Sequence, residues 1–114
     1  MTRFQTVEQV LAAVQARFRP EKAEDAAVVG HLRVTGEGGG DWTLRIADGR
    51  LTIAPGAPNE SDAMRLETSV DTFLALANGE LDATKAYFTG KVRFKGRLQQ
   101  VYRLMDLFRL KGMA

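Results

Sequence analysis

The sequence predicts an α+β fold, with an antiparallel sheet in the middle of the chain and helices before and after it. Apolar residues recur at helical spacing near both ends, whereas they alternate with polar residues in short runs between residues 28 and 68. The predicted order is a helix, a four-stranded antiparallel meander, two short helices, a fifth strand and a last helix. At 114 residues, the chain has the length of one domain, so we expect residues 1–114 to share a single core.

The first helix is predicted from a capping box and an apolar stripe. Thr6 followed by Gln9 is typical of a helix start in which side chain and backbone cap each other. The stripe consists of Val7, Val10, Leu11, Val14 and Phe18. Pro20 ends the helix, because proline cannot continue the hydrogen-bond ladder, and residues 21–26 could add a short helical turn.

The strands are predicted from alternation with period two, which is typical of an antiparallel sheet with one wet face. The residues expected on the apolar face are Val28, Leu32, Val34, Trp42, Leu44, Ile46, Leu51, Ile53, Met64 and Leu66. Asp48-Gly49 predicts a two-residue hairpin turn, because both positions of such a turn have positive φ. The glycines at 36 and 38–40 predict a longer first hairpin loop.

The second half of the chain is predicted to be mainly helical. Ser69 is a good N-cap for a helix over 70–78, and Asp82 for a short helix over 83–89. Residues 91–95 alternate as a strand, and residues 97–110 form the last helix. Its apolar residues cover more than the roughly 100° that one packed face needs. A second apolar neighbour is therefore expected, which could be more core, a partner subunit or a ligand.

Residues for covalent chemistry are scarce. The chain has no cysteine and one histidine, His31, which we expect to be a solvated residue on the polar face of the first strand. Asp41 and Asp48 border turns and lack an obvious carboxylate partner, and neither Ser61 nor Ser69 lies in a G-x-S-x-G motif. We therefore expect no enzyme activity, no metal and no cofactor. An isomerase that uses Asp41, Asp48 or Tyr102 on a small lipid is the catalytic alternative.

Residues 83–96, Ala-Thr-Lys-Ala-Tyr-Phe-Thr-Gly-Lys-Val-Arg-Phe-Lys-Gly, resemble the signature of the sterol carrier protein 2 family. Residues 78–81 and the hairpin over 42–53 are similar to the same family, and the order of elements agrees along nearly the whole chain. The length is similar to that of single-domain bacterial-type members. The resemblance implies a five-stranded, mainly antiparallel sheet with helices packed on one face, and an apolar tunnel between sheet and helices.

The function that the resemblance implies is non-catalytic binding, and intracellular transfer, of an apolar lipid. The lipid class is a fatty acid, fatty acyl-CoA, phospholipid, sterol or isoprenoid. From the residues alone, the same side chains could simply fill a core. The predicted lipid-cavity residues are Val34, Trp42, Leu44, Ile46, Ile53, Leu66, Phe73, Leu76, Phe88, Phe94, Leu98, Tyr102, Met105 and Phe108. An alternative function is that of an accessory domain that binds a partner protein, for example in lipophilic quinone or fatty-acid metabolism.

The distribution of charge suggests a surface for anionic partners. Residues 85–111 contain eight lysines and arginines but one acid, Asp106. This stretch could be a solvated face, or it could contact an anionic membrane surface transiently. The cations predicted for that contact are Lys91, Arg93, Lys95 and Arg97. No nucleic acid is expected, because Tyr87 and Phe88 should face inward; we expect a cytoplasmic monomer or homodimer.

Overall fold

The structure is a computed structural model, and it describes residues 3–18, 27–60 and 63–96. The predicted helical turn over 21–26 and the last helix over 97–110 lie outside the described residues. The described elements are α1 (Val7–Arg17), β1 (Val28–Thr35), β2 (Gly40–Ala47), β3 (Arg50–Pro55), β4 (Met64–Ser69), α2 (Val70–Ala77), α3 (Ala83–Phe88) and β5 (Val92–Lys95).

The five strands form one mixed sheet in the order β3-β2-β1-β4-β5. Three of the four strand pairs are antiparallel, and β1 pairs with β4 in parallel. The predicted four-stranded meander is therefore wrong at its last step, because β4 lies beside β1 and not beside β3. Alternation determines which face a residue occupies but does not select the neighbouring strand. The β2–β3 hairpin provides the long crossover that a parallel pair requires.

The turn between β2 and β3 has the predicted conformation. Asp48 has φ 53° and Gly49 has φ 71°, and the flanking residues Ala47 and Arg50 pair across the hairpin. Positive φ at both central positions matches the twist of the two strands. The strong local signal therefore defined both the turn and the register of β2 against β3.

The sheet has an apolar inner face and a polar outer face, as the alternation predicted. Leu32 lies between Trp42 and Leu66 across the three central strands. The next residue, Arg33, lies between Asp41 and Glu67 in the same register. Since neighbours across strands share a face, β5 adds Phe94 to the inner face.

Helix α1 covers the inner face with its predicted stripe. The capping box is present: the Gln9 backbone N–H donates to Thr6 Oγ1 at 3.2 Å, and the Thr6 N–H donates to Gln9 Oε1 at 3.3 Å. The four stripe residues in the helix are buried: Val7, Val10, Leu11 and Val14. They pack against buried β1, β2 and β3 residues, namely Leu32, Val34, Ile46 and Leu51.

The start of α1 is tied to the end of α2 by one side chain. Asn78 accepts from the Phe4 backbone N–H at 2.8 Å and donates to the Phe4 carbonyl at 3.0 Å. Asn78 is also the C-cap of α2, whose N-cap is Ser69 as predicted. Gly79 follows with φ 74°, the conformation expected just after a helix end. These two hydrogen bonds therefore link the two helices that pack on the inner face.

Candidate functional site

The candidate site is the apolar layer, defined here as Val34, Trp42, Leu44, Ile46, Ile53 and Leu66 of the inner sheet face together with Phe73 of α2. All seven were predicted as lipid-cavity residues, and the structure brings them together between the sheet and the two helices. Val34 and Ile46 are buried, with 3% and 2% of their surface exposed. The other five are partly buried and pack against the buried residues.

The apolar layer combines fully buried side chains with partly exposed ones. Leu44, Ile53 and Phe73 each contact both groups of buried residues yet remain partly exposed. Towards β5, Leu66 pairs with Phe94, and both are partly buried. Partly exposed apolar side chains have surface left to contact a ligand, whereas the fully buried ones maintain the scaffold.

The remaining predicted cavity residues differ in how exposed they are, and some lie outside the described ranges. Leu76 on α2 and Phe94 on β5 are partly buried. The prediction that Phe88 faces inward is wrong, because its side chain is 79% exposed at the end of α3. The same holds for Tyr87, which is 48% exposed. The other predicted residues lie outside the described ranges: Leu98, Tyr102, Met105 and Phe108.

The predicted cavity residues do not include the helix residues that pack against the apolar layer. These are four buried α1 residues, namely Val7, Val10, Leu11 and Val14. The signal was available, because their three- and four-residue spacing places them on one face of a helix. The spacing alone could not say that this face meets the same strands as the predicted cavity residues.

His31 differs from its prediction in environment but not in face. It lies on the outer face, yet its side chain is only 15% exposed, and its Nε2 lies 2.6 Å from Asp41 Oδ1. A histidine–carboxylate pair supports hydrolysis when the histidine also contacts a nucleophile. Ser69, the serine within the described ranges, accepts from the Thr72 backbone N–H at the start of α2. The pair therefore connects β1 to β2 without an assembled triad in this part of the chain.

Two open clefts lie on the β4–β5 side of the sheet, and none of the seven residues of the apolar layer lines either of them. One, of about 290 Å³, is lined by Arg65, Glu67, Arg93, Phe94 and Lys95. The other, of about 320 Å³, is bordered mainly by hydroxyl and charged side chains, including those of Thr35, Ser69, Thr72, Lys91 and Arg93. Charged and hydroxyl-bearing residues make up most of both linings, so neither cleft is the predicted apolar tunnel, which stays a prediction.

The outer face is rich in paired charges. The Arg65 guanidinium donates to Glu67 at 2.7 Å, and Arg45 donates to both carboxylate oxygens of Glu60. The hydrogen bond from Arg45 holds the pKa of Glu60 below its usual value, and the same contact raises the pKa of Arg45. These pairs orient polar groups on the solvent side and leave the inner face to apolar contacts.

The described ranges contain neither a metal-binding cluster nor a membrane-spanning helix. Residues 3–18, 27–60 and 63–96 contain no group of three histidine, aspartate or glutamate side chains placed to hold a metal ion. Within the same ranges, every helix is too short or too polar to cross a bilayer.

A five-stranded mixed sheet with helices over one apolar face defines an α+β domain of the sterol carrier type. The SCP-2 sterol transfer family model matches residues 7–109, and the chain belongs to that family. Hydroxysteroid dehydrogenase-like protein 2 from Mus musculus is 25% identical over 104 residues, which are 91% of this chain and 21% of that protein. The chain thus spans about a fifth of the length of the curated relatives it matches.

Solved structures share the fold at lower sequence identity. A double mutant of the sec-alkyl sulfatase PisA1 matches with a TM-score of 0.80 at 19% identity, over 91% of this chain and 16% of that one. Palmitated SCP2L2 from Aedes aegypti matches with a TM-score of 0.70 at 18% identity, over 91% and 95% of the two chains. A UbiJ-SCP2 ubiquinone synthesis protein matches with a TM-score of 0.62 at 14% identity, over 94% of each chain.

Proposed function

We propose that this chain binds an apolar lipid along the apolar layer, in a tunnel between the sheet and its helices, and transfers it within the cell. The observation that supports this most directly is a set of apolar side chains that pack between sheet and helices and yet remain partly exposed: Trp42, Leu44, Ile53, Leu66 and Phe73. Family membership and the palmitate named with SCP2L2 support the same ligand class.

The binding energy comes from burial of the acyl or prenyl chain. Each methylene removed from water contributes about 0.8 kcal/mol, so a long chain needs few polar contacts. Selectivity among fatty acids, acyl-CoAs, phospholipids, sterols and isoprenoids is then loose, because apolar pockets discriminate weakly. The predicted residues Leu76, Phe94, Leu98, Tyr102, Met105 and Phe108 are proposed as further contacts of the lipid.

We propose that this binding involves no covalent chemistry and no cofactor. His31 and Asp41 lie on the outer face, with the sheet between them and the apolar layer. A lipid held on the inner face would therefore be out of reach of this pair. The proposal would be contradicted if the purified protein converted a lipid and lost that activity when His31 or Asp41 was substituted.

The cations of β5 and its flanks are proposed to contact an anionic membrane surface transiently. Lys91, Arg93 and Lys95 are exposed, and Arg97 follows them in the sequence. Each lysine or arginine near such a surface contributes about 1 kcal/mol of attraction. We further propose that residues 1–114 act as one cytoplasmic domain, either a monomer or a homodimer, that binds no nucleic acid.

An accessory role is the second candidate function. The similarity to a UbiJ-SCP2 ubiquinone synthesis protein supports an accessory domain that binds a partner protein, for example in lipophilic quinone metabolism. The chain's match to one part of much longer relatives supports a role beside other domains. A prenyl ligand and a co-purified enzyme would favour this role over carriage of fatty acids.

Native mass spectrometry of the freshly purified protein, followed by organic extraction, tests the proposal. A bound mass of lipid size is expected, and its chain type separates a fatty-acid carrier from a quinone accessory protein. Ile53→Phe adds bulk to the inner face and should reduce binding of a fluorescent fatty acid, whereas Thr52→Phe adds it to the outer face and should not. An empty protein that also ignores the fluorescent fatty acid would contradict lipid binding.

A further inference from the structure

Two consecutive aromatic side chains project from the end of α3. Tyr87 is 48% exposed and Phe88 is 79% exposed, and they are the exposed large hydrophobic side chains of the described residues. Their ring centroids lie 5.6 Å apart at an interplanar angle of 71°, an edge-to-face contact. We call this pair the aromatic tip. Because the two rings are in contact, they form one continuous apolar surface.

The surrounding backbone fixes the direction of the aromatic tip. Ala86 is fully buried, so the two residues that follow it on the helix turn away from the fold. The helix then closes with hydrogen bonds from the Thr89 N–H to the Lys85 carbonyl and from the Lys91 N–H to the Ala86 carbonyl, both at 2.9 Å. These hydrogen bonds fix the end of α3 with both rings pointing away from the fold. Apolar side chains of this size are usually buried.

The aromatic tip lies within a positively charged segment. Residues 83–96 contain four cations and no acid. Lys85 and Lys91 flank the tip and are exposed, while Arg93 and Lys95 continue along the outer face of β5. The nearest acids are Asp82, which caps the other end of α3, and Glu67, which lies opposite Arg93, so the cations beside the rings stay in excess. Aromatic rings next to cations suit the interface of an anionic bilayer, where rings enter the headgroup region and cations meet the phosphates.

We propose that the aromatic tip inserts into the interface of an anionic lipid bilayer and anchors the domain there by the α3–β5 end. The proposal rests on the proposed lipid-binding function and adds the element that enters the membrane. A second copy of the chain fits this surface less well, because two such ends would bring eight cations together without an acid from the same segments. The anchor would hold the domain beside the pool of its ligand.

The absence of cysteine from the chain allows site-specific labelling. Phe88→Cys carries an environment-sensitive NBD dye at the tip, and Thr52→Cys carries it on β3 at the opposite edge of the sheet. With vesicles of phosphatidylcholine and phosphatidylglycerol, emission should rise severalfold and shift to the blue for position 88 and stay unchanged for position 52. An equal response at the two positions, or none at position 88, would overturn the proposal.

Vesicle co-sedimentation of the unlabelled protein gives an independent measurement. Phe88→Ser should weaken binding by about tenfold, the effect of withdrawing one phenyl ring from the interface. Lys91→Gln should weaken it by about fivefold, and only for anionic vesicles. A Phe88→Ser variant that binds as tightly as the wild type would overturn the proposal, as would emission at position 88 that rises with protein concentration when no vesicles are present.

The two proposals fail in different ways. Phe88→Ser should bind a fluorescent fatty acid in solution as the wild type does, because Phe88 lies outside the apolar layer. Normal fatty-acid binding with unchanged vesicle binding in this variant would refute the membrane anchor alone. Vesicle binding that depends on Phe88 in a protein that binds no fatty acid would refute the proposed function alone.

Discussion

Helices α1 and α3 differ in how far their apolar side chains are buried. The four stripe residues of α1 have at most 8% of their surface exposed, whereas the two aromatic residues of α3 are 48% and 79% exposed. The eleven residues of α1 make three turns with one continuous apolar face, and the six of α3 make less than two turns. A long helix can bury a whole stripe, whereas α3 buries Ala86 and leaves its largest side chains outside.

Helix α1 belongs to the buried scaffold, whereas the end of α3 lies on the exposed surface. The side chains under α1 stabilise the fold, and those at the end of α3 contribute little to it and are available to a partner. The apolar layer lies between these extremes, with buried Val34 and Ile46 beside partly exposed Trp42 and Leu44. Substitutions in the two helices should therefore affect stability and binding differently.

The largest expected effect on stability is that of Leu11→Ala in α1. Leu11 is 7% exposed and packs with buried residues of β1. Its truncation leaves a cavity, and we expect the free energy of unfolding to fall by about 2–4 kcal/mol in urea denaturation followed by circular dichroism. A loss below about 1 kcal/mol would mean that α1 is not the scaffold helix of this comparison.

The next largest effect is expected for Asn78→Ala, which removes the tie between α2 and the start of α1. Both hydrogen bonds to the Phe4 backbone are lost, so the free energy of unfolding should fall by about 1–2 kcal/mol. Hydrogen exchange at the first turn of α1 should also accelerate. Asn78→Asp keeps the acceptor for the Phe4 N–H but sets a carboxylate oxygen against the Phe4 carbonyl oxygen at the C-terminus of α2, so it should not restore the stability of the wild type.

Phe88→Ala is the matched partner of Leu11→Ala, since both shorten a large apolar side chain on a helix. The exposed ring loses little packing, so we expect the free energy of unfolding to change by less than about 0.5 kcal/mol. The same urea denaturation measures it. A destabilisation as large as that of Leu11→Ala would contradict the exposed position of the aromatic tip.

The smallest effect is expected from the exposed pair Arg45–Glu60 on the outer face. The pKa of Glu60 is lowered in the folded state, so the pair's stabilisation is present above the pKa of an unpaired glutamate, about 4.3, and is lost as the pH falls through the lowered value. Thermal melts at pH 7 and pH 3 should show a slightly smaller drop in Tm for Glu60→Gln than for the wild type. A larger drop in Tm for Glu60→Gln than for the wild type would contradict the predicted direction of the effect.

Most of the described fold follows from short-range signals in the sequence. The capping box at Thr6, the Asp48-Gly49 turn and the caps Ser69 and Asp82 are all confirmed. Each depends on hydrogen bonds or φ angles within a few residues, so local sequence determines it. The alternation along the strands is confirmed for the same reason, because the side-chain period of a strand is a local property.

The errors concern long-range contacts. The parallel pairing of β4 with β1 depends on how a whole hairpin crosses the sheet, which no local pattern encodes. The exposure of Phe88 depends on how a six-residue helix lies against the fold. For the apolar layer, periodicity predicted the sheet side and α2, but not that α1 forms the opposite wall.

The central claim, that a lipid chain lies along the apolar layer, can be tested with the protein's own fluorescence. Trp42 is the single tryptophan of the chain and lies on the inner face within the layer. Titration with a dibrominated fatty acid, whose bromines quench tryptophan only at close range, should quench Trp42 saturably at one ligand per protein, and the unbrominated acid should compete. Tryptophan emission that stays unquenched while the acid binds would place the lipid elsewhere and contradict the account.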